Sequence, residues 1–145
     1  MRFSPAGYLS QRWSVVAGEA ILVVDDTPAN LRLARVVLET QGYDVRTAVD
    51  AEEALGVLTA FRPQLILMDI QLPGVDGLQL TRRLKADPET RHIVIVAVTA
   101  YAMKGDEQRF LQAGCDGYIS KPFDTRAMPG LITEYLRTAR SKDDG

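Results

Sequence analysis

Leu65-Ile66-Leu67-Met68-Asp69-Ile70-Gln71-Leu72-Pro73-Gly74 is an unbroken apolar run, an acid, and a loop that turns at Pro-Gly. Apolar residues in succession, without polar alternation, have the pattern of a strand buried on both faces, the habit of parallel sheets covered by helices. Asp69 then stands at the carboxyl end of a core strand, a carboxylate held at the rim of an apolar interior. The same setting recurs upstream, where Ala20-Ile21-Leu22-Val23-Val24 runs straight into Asp25 and Asp26. If the two strands are neighbours, three carboxylates converge on one small volume. That is unfavourable unless a cation sits among them or a proton is shared. The pattern points to a metal and a nucleophile.

Outward from these two strands, the chain alternates between strand and helix. Thr27-Pro28 reads as a helix start, the hydroxyl as N-cap and the proline at the first helical position. Leu31, Ala34, Val37 and Leu38 give this helix its apolar stripe, and Gly42 stops it. A short strand over 44–48 follows. Asp50 with Glu53 forms an acidic variant of the capping box and opens a helix carried by Ala54, Leu55 and Leu58. After the strand 65–68 and the loop 69–76 comes a helix over 77–86 with Leu80 and Leu84. Ile93 to Val98 has the composition of another doubly buried strand. A helix over 104–113 ends at Gly114, and Gly117-Tyr118-Ile119 makes a short fifth strand. Asp124 caps the last helix, whose stripe is Met128, Leu131, Ile132, Tyr135 and Leu136.

Five βα units in a row predict an α/β fold, a doubly wound five-stranded parallel sheet with five helices. Ligands of such sheets bind beyond the carboxyl ends of the strands, at the switch point in strand order. The residues at those ends are Asp25 and Asp26, Asp69, Thr99 and Lys121.

Composition sets the limits. The chain has 145 residues, 46% apolar and 25% charged, which suits one soluble domain with a proper core. A net charge of -2 without a face-sized Lys/Arg cluster argues against a nucleic-acid partner. Cys115 is the single cysteine, so no disulfide framework exists and a cytoplasmic setting is expected. No stretch approaches the roughly 20 apolar residues of a membrane span, and Val15-Val16-Ala17 is too short for the core of a secretory signal.

Val23-Val24-Asp25-Asp26, Leu67-Met68-Asp69-Ile70-Gln71-Leu72-Pro73, Val98 to Asp106, and Tyr118-Ile119-Ser120-Lys121-Pro122-Phe123, taken together at this spacing, resemble the receiver domains of two-component response regulators. The resemblance covers roughly 19–138, and the stretches Asp69 to Pro73 and Val98 to Asp106 are similar to single-domain receivers of the DivK type and to receivers of hybrid kinases. It implies the flavodoxin-like (βα)5 receiver fold. It makes Asp69 the phosphoacceptor, Asp25 and Asp26 the metal-binding pair, Thr99 the switch hydroxyl, Lys121 the lysine that contacts phosphate, and Tyr118 the rotating aromatic. It implies a cis peptide at Lys121-Pro122. It also places Gln71 and Tyr101, each two residues beyond a site residue, at the border of the approach of hydrolytic water.

The chemistry agrees with those roles. A carboxylate such as Asp69 can attack phosphorus to give an acyl phosphate. The incoming group is anionic, so a hard cation, Mg²⁺ or Mn²⁺, is expected in the cluster. Asp26 is expected to bind it directly and Asp25 through water, with one Asp69 oxygen and the Gln71 carbonyl completing the set. Lys121 supplies a compact positive charge, and the Thr99 hydroxyl a hydrogen bond, to other phosphate oxygens.

The expected organisation is an N-terminal extension over 1–19, unstructured or a short helix, a receiver over 20–139, and a polar tail over 140–145. With no output domain in cis, the expected function is a single-domain response regulator, a signalling protein rather than an enzyme. It would receive phosphate from a sensor histidine kinase or histidine phosphotransfer protein. It would signal by protein contact through the 103–138 face, as a monomer or a weak phosphorylation-dependent dimer, with no nucleic acid or membrane involved. The alternative is a receiver module cut from a hybrid histidine kinase or multidomain regulator. Two readings from other classes fit less well. A flavodoxin-like FMN binder needs a phosphate-cradling loop where Asp25-Asp26 stand, and a haloacid dehalogenase-type hydrolase needs an acid where Gln71 stands. Cys115 and Phe110 read as core packing, as does Met103, and His92 as a solvated loop residue.

Overall fold

The computed structural model describes residues 19–100, 105–122 and 124–144, with side chains to Arg137. Five strands alternate with five helices: β1 Ala20–Val24, α1 Pro28–Thr40, β2 Asp44–Ala48, α2 Ala51–Leu58, β3 Leu65–Asp69, α3 Gly77–Ala86, β4 Val94–Thr99, α4 Asp106–Ala113, β5 Gly117–Ser120 and α5 Met128–Asp144. The strands form one parallel sheet in the order β2-β1-β3-β4-β5. The chain reverses its direction of winding between β1 and β3, which makes the gap between their carboxyl ends the switch point. Val24 pairs with Met68 there, so Asp25 and Asp69 come out side by side.

Two apolar layers sandwich the sheet. Ile21, Val23, Leu65, Leu67, Val94 and Val96 face α1 and α5, packing on Leu31, Ala34, Leu38, Met128, Ile132 and Leu136. The alternate residues Leu22, Ile66, Met68, Ile95 and Ala97 pack on α2, α3 and α4. Both faces of β1, β3 and β4 are therefore buried, and their sequences can be continuously apolar for that reason. Among the described residues no helix is long and apolar enough to cross a membrane.

The helix ends show where local chemistry was read well and where it was not. Gly42, at φ 94°, closes α1 as expected, with Tyr43 N–H on the Leu38 carbonyl and Gly42 N–H on the Glu39 carbonyl. Thr27 is the N-cap of α1 but makes no side-chain cap, since its hydroxyl lies toward Asp26 Oδ1 at 3.5 Å. Asp50 accepts from Glu53 N–H at 2.8 Å, while Glu53 reaches back to Val49 N–H rather than to the cap residue itself. Asp76 and Gln79 form a complete capping box that opens α3. The described part of the fourth helix starts later than expected, at Asp106 after Gly105, where φ is 94°.

Asp124 accepts from Arg126 and Ala127 N–H in a lead-in turn, so α5 itself begins at Met128 and runs on through the polar segment to Asp144. Leu131 leaves the expected stripe and is 42% exposed. Residues 1–18 of the extension, and Met103, lie outside the described residues.

Lys85 ties the far edge of the sheet together. Its ammonium uses all three donors, on the Ile93 and Arg91 carbonyls and on Asp116 Oδ2, joining the end of α3 to the entries of β4 and β5. The Cys115 thiol beside it is buried and pushed up to about 11 by that burial, as befits a packing residue.

Two glycines contrast in what a methyl group would meet. At Gly77 a Cβ would collide with the Asp69 carbonyl, whereas at Gly56, mid-helix on α2, it would meet open space. Gly77→Ala is expected to lower stability by about 1–3 kcal/mol, and Gly56→Ala to raise it by about 0.5–1 kcal/mol. Urea unfolding of the two variants checks both signs.

Candidate functional site

The carboxyl ends of β1, β3, β4 and β5 bring Asp25, Asp26, Asp69, Thr99 and Lys121 to one edge of the sheet. One oxygen each from Asp25, Asp26 and Asp69 lies within 4.8 Å of the others. Asp25 is 2% exposed and Asp69 3% exposed, while Asp26 is open to solvent. Lys121 Nζ lies 3.1 Å from both Asp25 Oδ2 and Asp69 Oδ2.

Backbone geometry fixes the two buried acids. Asp69 Oδ1 accepts from Gln71 N–H at 3.0 Å, and Asp25 Oδ1 accepts from Thr27 N–H at 2.8 Å. Each is an acid bonding the amide two residues on, the local turn that Asp side chains favour. Ile70 N–H reaches the Val98 carbonyl at 3.1 Å, and Gly77 N–H reaches the Ile70 carbonyl at 3.0 Å. The loop after β3 is thereby folded back against β4 and α3, and Asp69 is held with it.

Thr99 is buried at the end of β4, and its carbonyl accepts from Lys121 N–H at 2.8 Å. This bond sets the start of the β5–α5 loop, where Lys121-Pro122 is cis as expected. Tyr118 is 38% exposed on β5, with its ring 6.0 Å from that of Phe110. Of the remaining candidates, Gln71 is exposed beside Asp69, and Tyr101 lies outside the described residues. His92 is exposed, and Phe110 is buried in the core.

Burial pushes the Asp69 carboxyl up from its ordinary value, and the neighbouring Asp25 charge adds to this. The Gln71 N–H and Lys121 pull it back without cancelling the rise. For Lys121, burial works against the charged form, but the hydrogen bonds and charges of Asp25 and Asp69 outweigh it and the net direction is up. Among the described residues, three carboxylates against one ammonium leave a site with unmet demand for positive charge. Its oxygen donors are hard and partly water-exposed, which fits a small divalent cation such as Mg²⁺ and does not fit a softer metal that wants nitrogen or sulfur.

Two features of the site were not read from the sequence. Gly77 has no side chain to announce itself, although Asp76-Gly77-Leu78-Gln79 carries the acid-x-x-Gln signature of a helix start that would have located it. Asn30, whose amide lies 3.3 Å from Asp25 Oδ2, gives no sequence signal, because a lone Asn in a first helical turn is unremarked.

Comparison with known proteins agrees with this geometry. The family model of the response regulator receiver domain matches residues 21–133. The polar-differentiation response regulator DivK of Brucella anthropi is 46% identical over 121 residues, which cover 83% of this chain and 98% of that protein. DivK of Brucella ovis matches to the same extent. A CheY-like response regulator receiver domain protein of Methanospirillum hungatei superposes with a TM-score of 0.79 at 32% identity, covering 87% of this chain and 99% of that one. The receiver domain of a Pseudomonas aeruginosa sensor histidine kinase, solved with a magnesium ion coordinated in its active-site cleft, gives 0.75 at 35% identity over 83% and 98%. With the family model spanning most of its length and the acidic cluster lying at the switch point of the sheet, this chain belongs to the response regulator receiver family of two-component signalling proteins.

Proposed function

We propose that this protein is a single-domain response regulator that accepts a phosphoryl group on Asp69 and signals by protein–protein contact. The observation that carries the reading is the Lys121 ammonium held 3.1 Å from Asp69, beside an acidic cluster suited to a cation. The donor is a phosphohistidine, on a sensor kinase or a histidine phosphotransfer protein. An Asp69 oxygen attacks phosphorus while the P–N bond breaks. The bonding pair returns to the imidazole, which takes a proton, and a P–O bond leaves an acyl phosphate on Asp69.

Each neighbouring residue has a part in that transfer. Asp25, Asp26, one Asp69 oxygen and the Gln71 carbonyl would hold the divalent cation. When bound, the cation offsets the repulsion between the carboxylates and the incoming phosphoryl oxygens. Lys121 neutralises a further oxygen, and the Thr99 hydroxyl donates to another once Asp69 is modified. Tyr118 then turns inward, and the surface of α4, β5 and α5 takes up a second arrangement that a downstream signalling protein reads. Cytoplasmic residence follows from that partnership.

Incubation with acetyl phosphate and Mg²⁺ should add one phosphoryl mass to the wild-type chain and none to Asp69→Asn. A full adduct on the variant would remove Asp69 from its role. The same variant has a stability signature. A carboxyl raised in the folded state stabilises below its unfolded value of 3.8 and loses that contribution as pH rises through the folded value. At pH 7 in EDTA, Asp69→Asn should therefore melt above wild type. The gap should shrink as the pH is lowered towards 3.8.

Mg²⁺ should raise the melting temperature of the wild-type chain by mass action, since the cluster exists only in the folded state. Asp26→Ala should abolish most of that rise. A rise that survives the substitution unchanged would count against the site.

Tyr101, two residues beyond the switch hydroxyl, is proposed to cover the phosphoryl group and exclude in-line water. A misplaced nucleophile loses on the order of 10²-fold in rate. Tyr101→Glu should therefore speed loss of the phosphoryl group, followed by intact mass. Decay no faster than wild type would refute the shielding.

A further inference from the structure

Asp25 is 2% exposed, and three donors claim its two oxygens. Oδ1 takes the Thr27 N–H at 2.8 Å. Oδ2 takes both the Lys121 ammonium at 3.1 Å and the Asn30 side-chain amide at 3.3 Å. Asn30 is the third residue of α1, the position from which a Glu or Gln of a capping box reaches back to the N-cap amide. Here that amide is already bonded to Asp25, and the side chain at the third position donates to Asp25 instead.

The residue type is informative. The first turn of a helix favours an acid through the helix dipole, yet an acid at this position would face Asp25. A lysine would place a second positive charge where a cation must enter. An amide is a neutral donor: it satisfies a buried carboxylate oxygen and leaves the charge of the cluster unchanged.

That matters because Lys121 is asked to serve two places. Its ammonium is shared between Asp25 and Asp69. When a phosphoryl group arrives on Asp69, new anionic oxygens draw Lys121 towards them. Asp25 Oδ2 then loses its charged donor while remaining buried, and an unsatisfied buried charge is costly. Resting on the phosphoacceptor reading above, we infer that Asn30 is a positioning residue that keeps Asp25 hydrogen-bonded and aimed while Lys121 turns to the phosphoryl group. It thereby sets both the cation affinity of the cluster and the rate of Asp69 phosphorylation. Outer partners of metal-binding carboxylates are typically worth about 10–100-fold in affinity or activity.

The test uses the full chain and three proteins: wild type, Asn30→Ala and Asn30→Gln. Alanine is the better helix former and Asn30 is only partly buried, so the variant should fold and keep its metal-free melting temperature. The Mg²⁺ concentration at the midpoint of the thermal shift, and the rate of phosphoryl gain from acetyl phosphate by intact mass, are then compared. Asn30→Ala should need roughly 10-fold more Mg²⁺ or above and gain phosphate more slowly by a similar factor. Asn30→Gln, which keeps the amide donor, should recover part of both. A wild-type midpoint and rate in Asn30→Ala would overturn the inference. So would a lowered melting temperature with the midpoint unmoved, which is what a purely structural residue gives. A wild-type chain that neither responds to Mg²⁺ nor gains phosphate would instead defeat the phosphoacceptor reading itself.

Discussion

One ammonium shared by two buried carboxylates is the interaction on which the site depends. Asp25 and Asp69 are almost wholly out of water, and the parallel sheet forces them together because β1 and β3 are neighbours in register. Removing the ammonium would leave two buried carboxylates without their charged partner, a loss of roughly 3–5 kcal/mol where a pair is fully buried, and less here because Lys121 keeps 19% of its side chain exposed. Lys121 makes the convergence tolerable without making it comfortable, as the upward displacement of Asp69 records. The residual imbalance suits the proposed cation: a site fully satisfied by its own positive groups would have no reason to take up another.

The rest of the fold keeps this arrangement from relaxing. Gly77 lets α3 start hard against the Asp69 carbonyl, the loop after β3 is hydrogen-bonded to β4, and the β5–α5 loop hangs from the Thr99 carbonyl through Lys121 N–H. Asp25, Asp69 and Lys121 are thus anchored through backbone, and under the proposed switch only the side chains of Lys121, Thr99 and Tyr118 would move. A receiver needs that division, because its two states must differ in a few rotamers and loop positions while the sheet stays constant.

Much of this was legible in the chain. The continuous apolar runs of β1, β3 and β4 dictated a doubly covered parallel sheet, and the acids at the ends of β1 and β3 marked the edge where the acidic cluster lies. The less legible parts depend on contacts distant in sequence or on competition between local partners. Thr27 is the N-cap by position, but its hydroxyl lies toward Asp26 and makes no side-chain cap. Leu131 has helical spacing with Ile132 and Leu136, yet α5 presents it outward because the apolar stripe is narrower than the sequence pattern. Asp124 has the sequence of a direct cap for α5, and a turn intervenes before Met128. Asn30 could not be read at all, since its meaning comes from the oxygen it meets.

The division of the interior into two apolar layers has a consequence for how such a protein can diversify. The layer under α1 and α5 and the layer under α2, α3 and α4 touch through the backbone of the sheet and the alternation of its side chains. Substitutions with no shared partners add nearly independently. A lineage can therefore rework the packing of one face, and with it the shape offered to one class of protein, while the opposite face retains its own. The acidic cluster, seated on the rim where both layers end, is left unchanged by repacking of either face.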